Sequence, residues 1–178
     1  MPNGADIRLI ISDVDGVWTD GRIIYAGERN ELKAFNVRDG LAAKLAQRAG
    51  IIVALLTSRS SHALERRARE LGIHELHQGA TNKLEASERI AQRLGVPFDQ
   101  ILYAGDDLPD LAPMTRAGIS AAPSDAAAEV RSIATWKLNA AGGAGAFREI
   151  VERVLRERGE WENLIRELAG GKPEASSI

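Results

Sequence analysis

The sequence predicts an α/β fold built on a doubly wound, mostly parallel sheet. Two observations carry that expectation. Short apolar, β-prone runs alternate with segments whose apolar residues recur at helical spacing. Three of the helical segments are closed by a glycine, Gly50, Gly72 and Gly95, shortly before the next apolar run begins. There is also no internal repeat and no linker long enough to separate a second domain. Residues 1–169 therefore read as one domain and 170–178 as a flexible tail.

The elements follow in order. Arg8 to Ser12 is a buried strand that ends in Asp13 and a turn at Gly16. Arg22 to Tyr25 and Glu31 to Phe35 are β-prone runs around the polar stretch 26–30, a hairpin that could cover the end of strand one. Asp39 and Gly40 precede a helix carrying Leu41, Ala42, Leu45, Ala46 and Ala49, and Ile51 to Leu56 is the next strand. The alternation repeats with a helix over Ser60 to Leu71, a short strand over Glu75 to His77, a helix over Asn82 to Leu94 and a strand over Ile101 to Ala104. Leu108 to Ala117 reads as a helix broken at Pro113, Ile119 to Ala121 and Trp136 to Leu138 as minor strands, and Ala146 to Arg158 as an amphipathic helix after a glycine-rich loop, Gly142 to Gly145.

At 178 residues, 44% apolar and 27% charged, the chain can bury a core without metals or disulfides to staple it. A net charge of −2 gives no electrostatic case for nucleic acid or an anionic membrane. With no cysteine, disulfides and thiolate metal sites are excluded and a reducing compartment, the cytoplasm, is expected. Met1 to Arg8 lacks the basic start and apolar run of a signal peptide, and no apolar stretch is long enough to span a bilayer.

In open parallel sheets ligands bind beyond the carboxyl ends of the strands, and here those ends are polar. Strand one delivers Asp13 and Asp15, the strand at Ile51 delivers Thr57, Ser58 and Arg59, and the strand at Ile101 delivers Asp106 and Asp107, with Asp110 following and Lys83 opening the preceding helix. Carboxylates gathered at one edge repel unless a hard cation neutralises them, and oxygen-only ligands suit Mg2+. Asp13 and Asp15 flank one residue and share a side of the chain, so one can attack phosphorus while the other transfers a proton. Lys83, Thr57 and the cation would hold the phosphoryl oxygens.

Each piece alone has a plainer reading. An isolated Asp-x-Asp is usually a turn or a helix cap, a lone lysine a solvated helix residue, Thr57 a strand-end hydroxyl bonded to backbone, and Asp107 or Asp110 a charge favoured by a helix N-terminus. His62, His74 and His77 lack metal spacing, and the glycine-rich loop lacks the lysine of a P-loop. What outweighs these readings is that four pieces fall at equivalent positions in one order.

That order resembles the haloacid-dehalogenase-type phosphatases: Asp13 to Gly21 matches the first motif, Thr57 the second, Lys83 the third and Gly105 to Asp110 the fourth. Phe35 to Gly40, Gln78-Gly79 with Asn82-Lys83, and Gly142 to Ala146 with Arg148-Glu149 further resemble the 3-deoxy-D-manno-octulosonate 8-phosphate (KDO 8-phosphate) phosphatases. The resemblance implies a Rossmannoid sheet with a β-hairpin flap and no cap domain. It also implies hydrolysis of KDO 8-phosphate through an aspartyl-phosphate. Asp13 would be nucleophile and magnesium ligand, Asp15 the acid/base that binds the metal through its carbonyl, Asp106 the other metal carboxylate, and Asp107 and Asp110 supporting residues. Substrate contacts would fall on Asp15, Asn36, Val37, Arg38, Asp39, Gly40, Lys44, Arg59, Arg67 and Lys83. A homotetramer is implied, with neighbouring subunits helping to close each site in a lipopolysaccharide-precursor enzyme.

Three departures bear on the substrate. Trp18 replaces a smaller aliphatic residue and reads as packing; Lys44 stands where an arginine is often found; Ala144 replaces a basic or polar side chain. The last leaves open a nine-carbon substrate, a nonulosonate 9-phosphate of the sialic-acid type. Other classes are a phosphoacceptor signalling domain, in which the lysine would come last, and an inactive oligomerisation module, which would need none of these repelling charges.

Overall fold

The computed structural model describes residues 3–27 and 31–170. Six strands, β1 (Leu9–Ser12), β4 (Ile52–Leu56), β5 (Glu75–His77), β6 (Ile101–Ala104), β7 (Ile119–Ala122) and β8 (Trp136–Lys137), form one sheet of order β5-β4-β1-β6-β7-β8. All its pairings are parallel. Two further strands, β2 (Ile24–Tyr25) and β3 (Glu31–Leu32), pair antiparallel as the expected hairpin between β1 and the first helix. Residues 28–30 of its loop and the tail from 171 lie outside the described residues.

Alternation along the strands assigns the two faces of the sheet. Ile10, Val53, Leu55, Leu102, Ile119 and Ala121 meet α1 (Val37–Arg48), α2 (His62–Leu71), α6 (Ala146–Glu157) and α7 (Trp161–Leu168) in one apolar cluster. Leu9, Ile11, Ala54, Leu56, Ile101 and Tyr103 meet α3 (Lys83–Leu94), α4 (Leu111–Arg116) and α5 (Ala128–Ile133) in the other. Helix α6 shows why such an element must dock: Phe147, Ile150, Val151, Val154 and Leu155 form one stripe, and all are fully buried.

Three local expectations are corrected. Helix α1 starts at Val37, before Asp39, because the Asn36 side chain caps it by accepting from the Arg38 amide at 2.9 Å. The break after β6 falls between a 3-10 turn, Leu108–Asp110, and α4, whereas Pro113 sits in the first turn of α4, where its missing N–H leaves no bond unmade. Helices α5 and α7 are additional to the expected elements. Helix α5 buries only Val130, too little for a periodic signal, whereas α7 carries Trp161, Leu164, Ile165 and Leu168 at i, i+3, i+4 and i+7, a helical period that is legible in the sequence.

Because β1 leads to β4 on one side of the sheet and β6 leads to β7 on the other, the strand order reverses between β1 and β6. A crevice opens there, beyond Ser12 and Ala104.

Candidate active site

The Asp13 amide donates to Ala104 O at 2.8 Å, so the residue after β1 is pinned to the end of β6. The chain then turns tightly, with Val14 O accepting from the amides of Val17, Trp18 and Thr19. Gly16, at φ 95°, has to be glycine twice over: a Cβ there would lie 1.9 Å from Asp106 Oδ2. The turn is braced from outside. Trp18 is buried, donates from Nε1 to Ser12 Oγ at 3.1 Å and stacks on Phe147 with ring centroids 4.2 Å apart, which is the packing role expected of it. The glycine-rich loop closes on the same turn: Gly143 N donates to Val17 O at 3.0 Å, and a Cβ on Gly142 would meet Gly16 O at 2.0 Å.

Lys83 reaches the site from the first turn of α3, whose N-cap Asn82 accepts from the Glu85 amide at 3.1 Å. Its Nζ lies 2.8 Å from Asp13 Oδ2 and 2.7 Å from Asp110 Oδ1. Asp110 is fully buried and accepts from four donors: Lys83 and the Tyr103 hydroxyl on Oδ1, and the amides of Asp106 and Asp107 on Oδ2. Burial pulls the Lys83 ammonium down, but the carboxylates of Asp13 and Asp110 outweigh it and leave the group above its ordinary value.

Oxygens of Asp13, Asp106 and Asp110 lie within 4.8 Å of one another. Burial, with the charge of Asp110 next, raises Asp13 to about 6. Burial, then the charges of Asp13 and Asp110, raise Asp106 to about 8. Three carboxylates against one ammonium are short of positive charge. Asp110 has both oxygens engaged, whereas Asp106 Oδ1 and Asp15 Oδ2 are buried without a hydrogen-bond partner. An oxygen-only set with orphaned lone pairs fits a hard divalent cation that Asp13 and Asp106 could hold, while Asp110, bonded on both oxygens, positions Lys83.

The cleft at this edge, about 270 Å3, is lined by Asp13, Asp15, Thr57, Arg59, Lys83, Asp106 and Asp107. A larger hollow of about 550 Å3 lies between β5 and α3, but its lining holds none of the clustered carboxylates. Thr57 is buried and its Oγ1 accepts from the Arg59 amide at 3.1 Å, which leaves the hydroxyl hydrogen free to point into the cleft. Asp107 is exposed and accepts from the Leu108 amide.

The remaining residues of the expected substrate set are outside this lining. Asn36 caps α1 and donates from Nδ2 to Gly143 O at 3.2 Å. Val37, Arg38 and Lys44 are exposed, Arg38 beside Ala144 in a hollow along α6. Asp39 is fully buried, accepts from the Arg148 amide at 2.7 Å and is raised to about 6, mainly by burial. Gly40 makes room for Arg67, since a Cβ there would meet the guanidinium Nη2 at 2.1 Å.

Two residues at the cleft, Glu31 and Lys33, are not singled out by the sequence. Lys33, its side chain 2% exposed, donates to Asp15 Oδ1 and lies 2.9 Å from Glu31 Oε1, while Arg59 Nη2 donates to Glu31 Oε2. A signal for them exists: they are two apart in the second arm of the hairpin, hence on one face, the face turned to Asp15.

Comparison with known proteins agrees with this geometry. A haloacid dehalogenase-like hydrolase family model matches residues 27–118. The 3-deoxy-D-manno-octulosonate 8-phosphate phosphatase KdsC of Salmonella typhi is 40% identical over 160 residues, 90% of this chain and 85% of that protein. Its namesake in Yersinia pestis is 41% identical over 155 residues, 87% of this chain and 83% of that protein. The Moraxella catarrhalis phosphatase, solved with magnesium, phosphate and KDO, superposes with a TM-score of 0.90 at 38% identity, covering 93% of this chain and 95% of that one. The cobalt-bound Haemophilus influenzae enzyme gives a TM-score of 0.86 at 38% identity over 89% and 92% of the two chains. The chain thus belongs to the haloacid dehalogenase-like hydrolases and, within them, to the family of the 3-deoxy-D-manno-octulosonate 8-phosphate phosphatases.

Proposed function

We propose that the protein hydrolyses KDO 8-phosphate to KDO and phosphate, with Asp13 as nucleophile and Asp15 as general acid and base. The observation that carries this reading is the unlike surroundings of two carboxylates two residues apart. Asp13 is buried against Lys83, whereas Asp15 is half-buried, faces Lys33 and keeps Oδ2 unpartnered. An Asp13 oxygen forms a bond to phosphorus as the bond to the sugar oxygen breaks, and Asp15 gives that oxygen a proton. Asp15 then takes a proton from the water that hydrolyses the aspartyl-phosphate. Lys83, held by Asp110, and the Thr57 hydroxyl stabilise phosphoryl oxygens without reorganising. Mg2+ would be held by the carboxylates of Asp13 and Asp106 and the carbonyl of Asp15, and when bound it supplies positive charge against the phosphate.

The magnesium, phosphate and KDO bound by the Moraxella catarrhalis relative support both the cation and the sugar acid. The expected substrate residues outside the cleft of one chain, Asn36 to Gly40, Lys44 and Arg67, suit a homotetramer in which neighbouring subunits complete each site. The absence of cysteine suits the cytoplasm.

Phosphate release from a panel that includes KDO 8-phosphate and a nonulosonate 9-phosphate, with and without Mg2+, tests the reading. Magnesium-dependent turnover favouring the eight-carbon acid is expected, and preference for the nine-carbon acid would refute the substrate assignment. Asp13→Asn should abolish turnover with the fold intact, and undiminished activity in that variant would refute the mechanism.

A further inference from the structure

The cleft holds cations in two places. Lys83 faces Asp13, whereas Lys33 and Arg59 lie on the side of Asp15. Both cations of the second group are held by one flap carboxylate: Glu31 Oε1 lies 2.9 Å from Lys33 Nζ, and Oε2 accepts from Arg59 Nη2. The Lys33 ammonium against Oε1, with the bond from Arg59 to Oε2, outweighs burial and holds Glu31 below the ordinary glutamate range. Arg59 still keeps its Nε buried and without an acceptor, so its guanidinium is only partly used.

If Asp15 protonates the leaving oxygen, the sugar extends past Asp15 along the side that Lys33 and Arg59 form. There a carboxylate of the protein stands on the cations that a sugar acid's carboxylate needs. We infer that Glu31 is a specificity-determining residue that stands in for the substrate's carboxylate and is displaced from Lys33 and Arg59 when a sugar-acid phosphate binds. Exchange of one carboxylate for another leaves neither cation bare, and an unpaired, nearly buried charge is the state such a site must avoid. A phosphate ester without a carboxylate has nothing to offer in Glu31's place. The inference rests on the phosphatase reading for the direction in which the sugar lies.

Binding of free KDO and of its methyl ester to the full chain with Mg2+, measured by calorimetry, tests it apart from catalysis. In Glu31→Gln the internal competitor is neutral, so KDO should bind tighter by roughly threefold or more, as expected for a partly exposed ion pair, while the ester, which has no carboxylate, binds as it does to the wild type. Unchanged or weaker KDO binding in a folded variant overturns the inference, as does an equal gain for the ester. Glu31→Asp is the second variant. It retains a competing charge and should keep near wild-type affinity; a gain equal to that of Gln would mean side-chain length, not charge, sets the affinity, and would overturn the inference too. A wild-type chain that releases no phosphate from KDO 8-phosphate, yet binds KDO tighter as Glu31→Gln, would sink the phosphatase reading and support this one.

Discussion

Asp110 lines no side of the cleft, yet it carries more of the site's geometry than any residue that does. Its two oxygens serve Lys83, Tyr103 and two amides of the loop that presents Asp106. Asp110→Ala leaves a buried ammonium half-paired and three other donors without acceptors, so a loss of about 3–5 kcal/mol is expected in urea unfolding; a loss under about 1 kcal/mol would contradict that account. Asp106 makes a prediction in pH. Burial and the charges of Asp13 and Asp110 raise it to about 8, with only Lys83 opposing, so below that pH the metal-free carboxyl holds a proton that a cation must displace. Magnesium affinity should therefore rise roughly tenfold per unit between about pH 6.5 and 7.5 and level off above about 8. Calorimetry in buffers of different ionisation enthalpy would report the released proton, and a flat profile would refute the assignment. Gly16→Ala should abolish magnesium binding while the fold survives, because its Cβ would displace Asp106 Oδ2.

Between elements, the buried Asp39 of α1 ties that helix to the start of α6 by accepting from the Arg148 amide. Its folded value, about 6, lies above the ordinary 3.8, so the folded chain favours the protonated form. The sign follows: Asp39's contribution is best below about pH 4 and is lost as pH rises through about 6. Asp39→Asn, which keeps an acceptor for Arg148 and removes the charge, should be neutral or stabilising at about pH 8, whereas Asp39→Ala should cost about 1–3 kcal/mol at either end of the range. Thermal melts at about pH 5 and about pH 8, on either side of the folded value, check both. An Asn variant that is destabilised only at the higher pH would reverse the sign. Asp39 also shows the limit of element reading. Its residue type suits a helix start, but Asn36 supplies the cap and Asp39 bonds to a helix more than a hundred residues away.

At the scale of the whole molecule, the strand order brings residues 13, 57, 83 and 106 to one crevice, and a cation there binds only the folded chain. Magnesium at roughly a hundredfold excess over its dissociation constant should stabilise the fold by about 2.7 kcal/mol. Asp106→Asn should lose most of that increment in a thermal shift, and an unchanged increment would move the metal elsewhere. Most of this architecture is legible in the sequence. Apolar runs and glycine stops mark the strands and the longer helices because the periods of 2 and 3.6 residues are local properties of the backbone. The three polar strand ends, and Lys83 at the start of a helix, are likewise legible, since parallel topology fixes which ends share an edge. The sequence by itself thus determined the sheet, the hairpin and the cluster of Asp13, Asp15, Thr57, Lys83 and Asp106. Only the tertiary structure decided which groups face one another. It set Asp110 against Lys83 and Tyr103, gave Asn36 and Asp39 to helix ends, and brought Glu31 and Lys33 of the flap against Arg59 and Asp15. Contacts across 18 or 28 residues leave no local period to read; they arise when burial forces each charged group to find a partner.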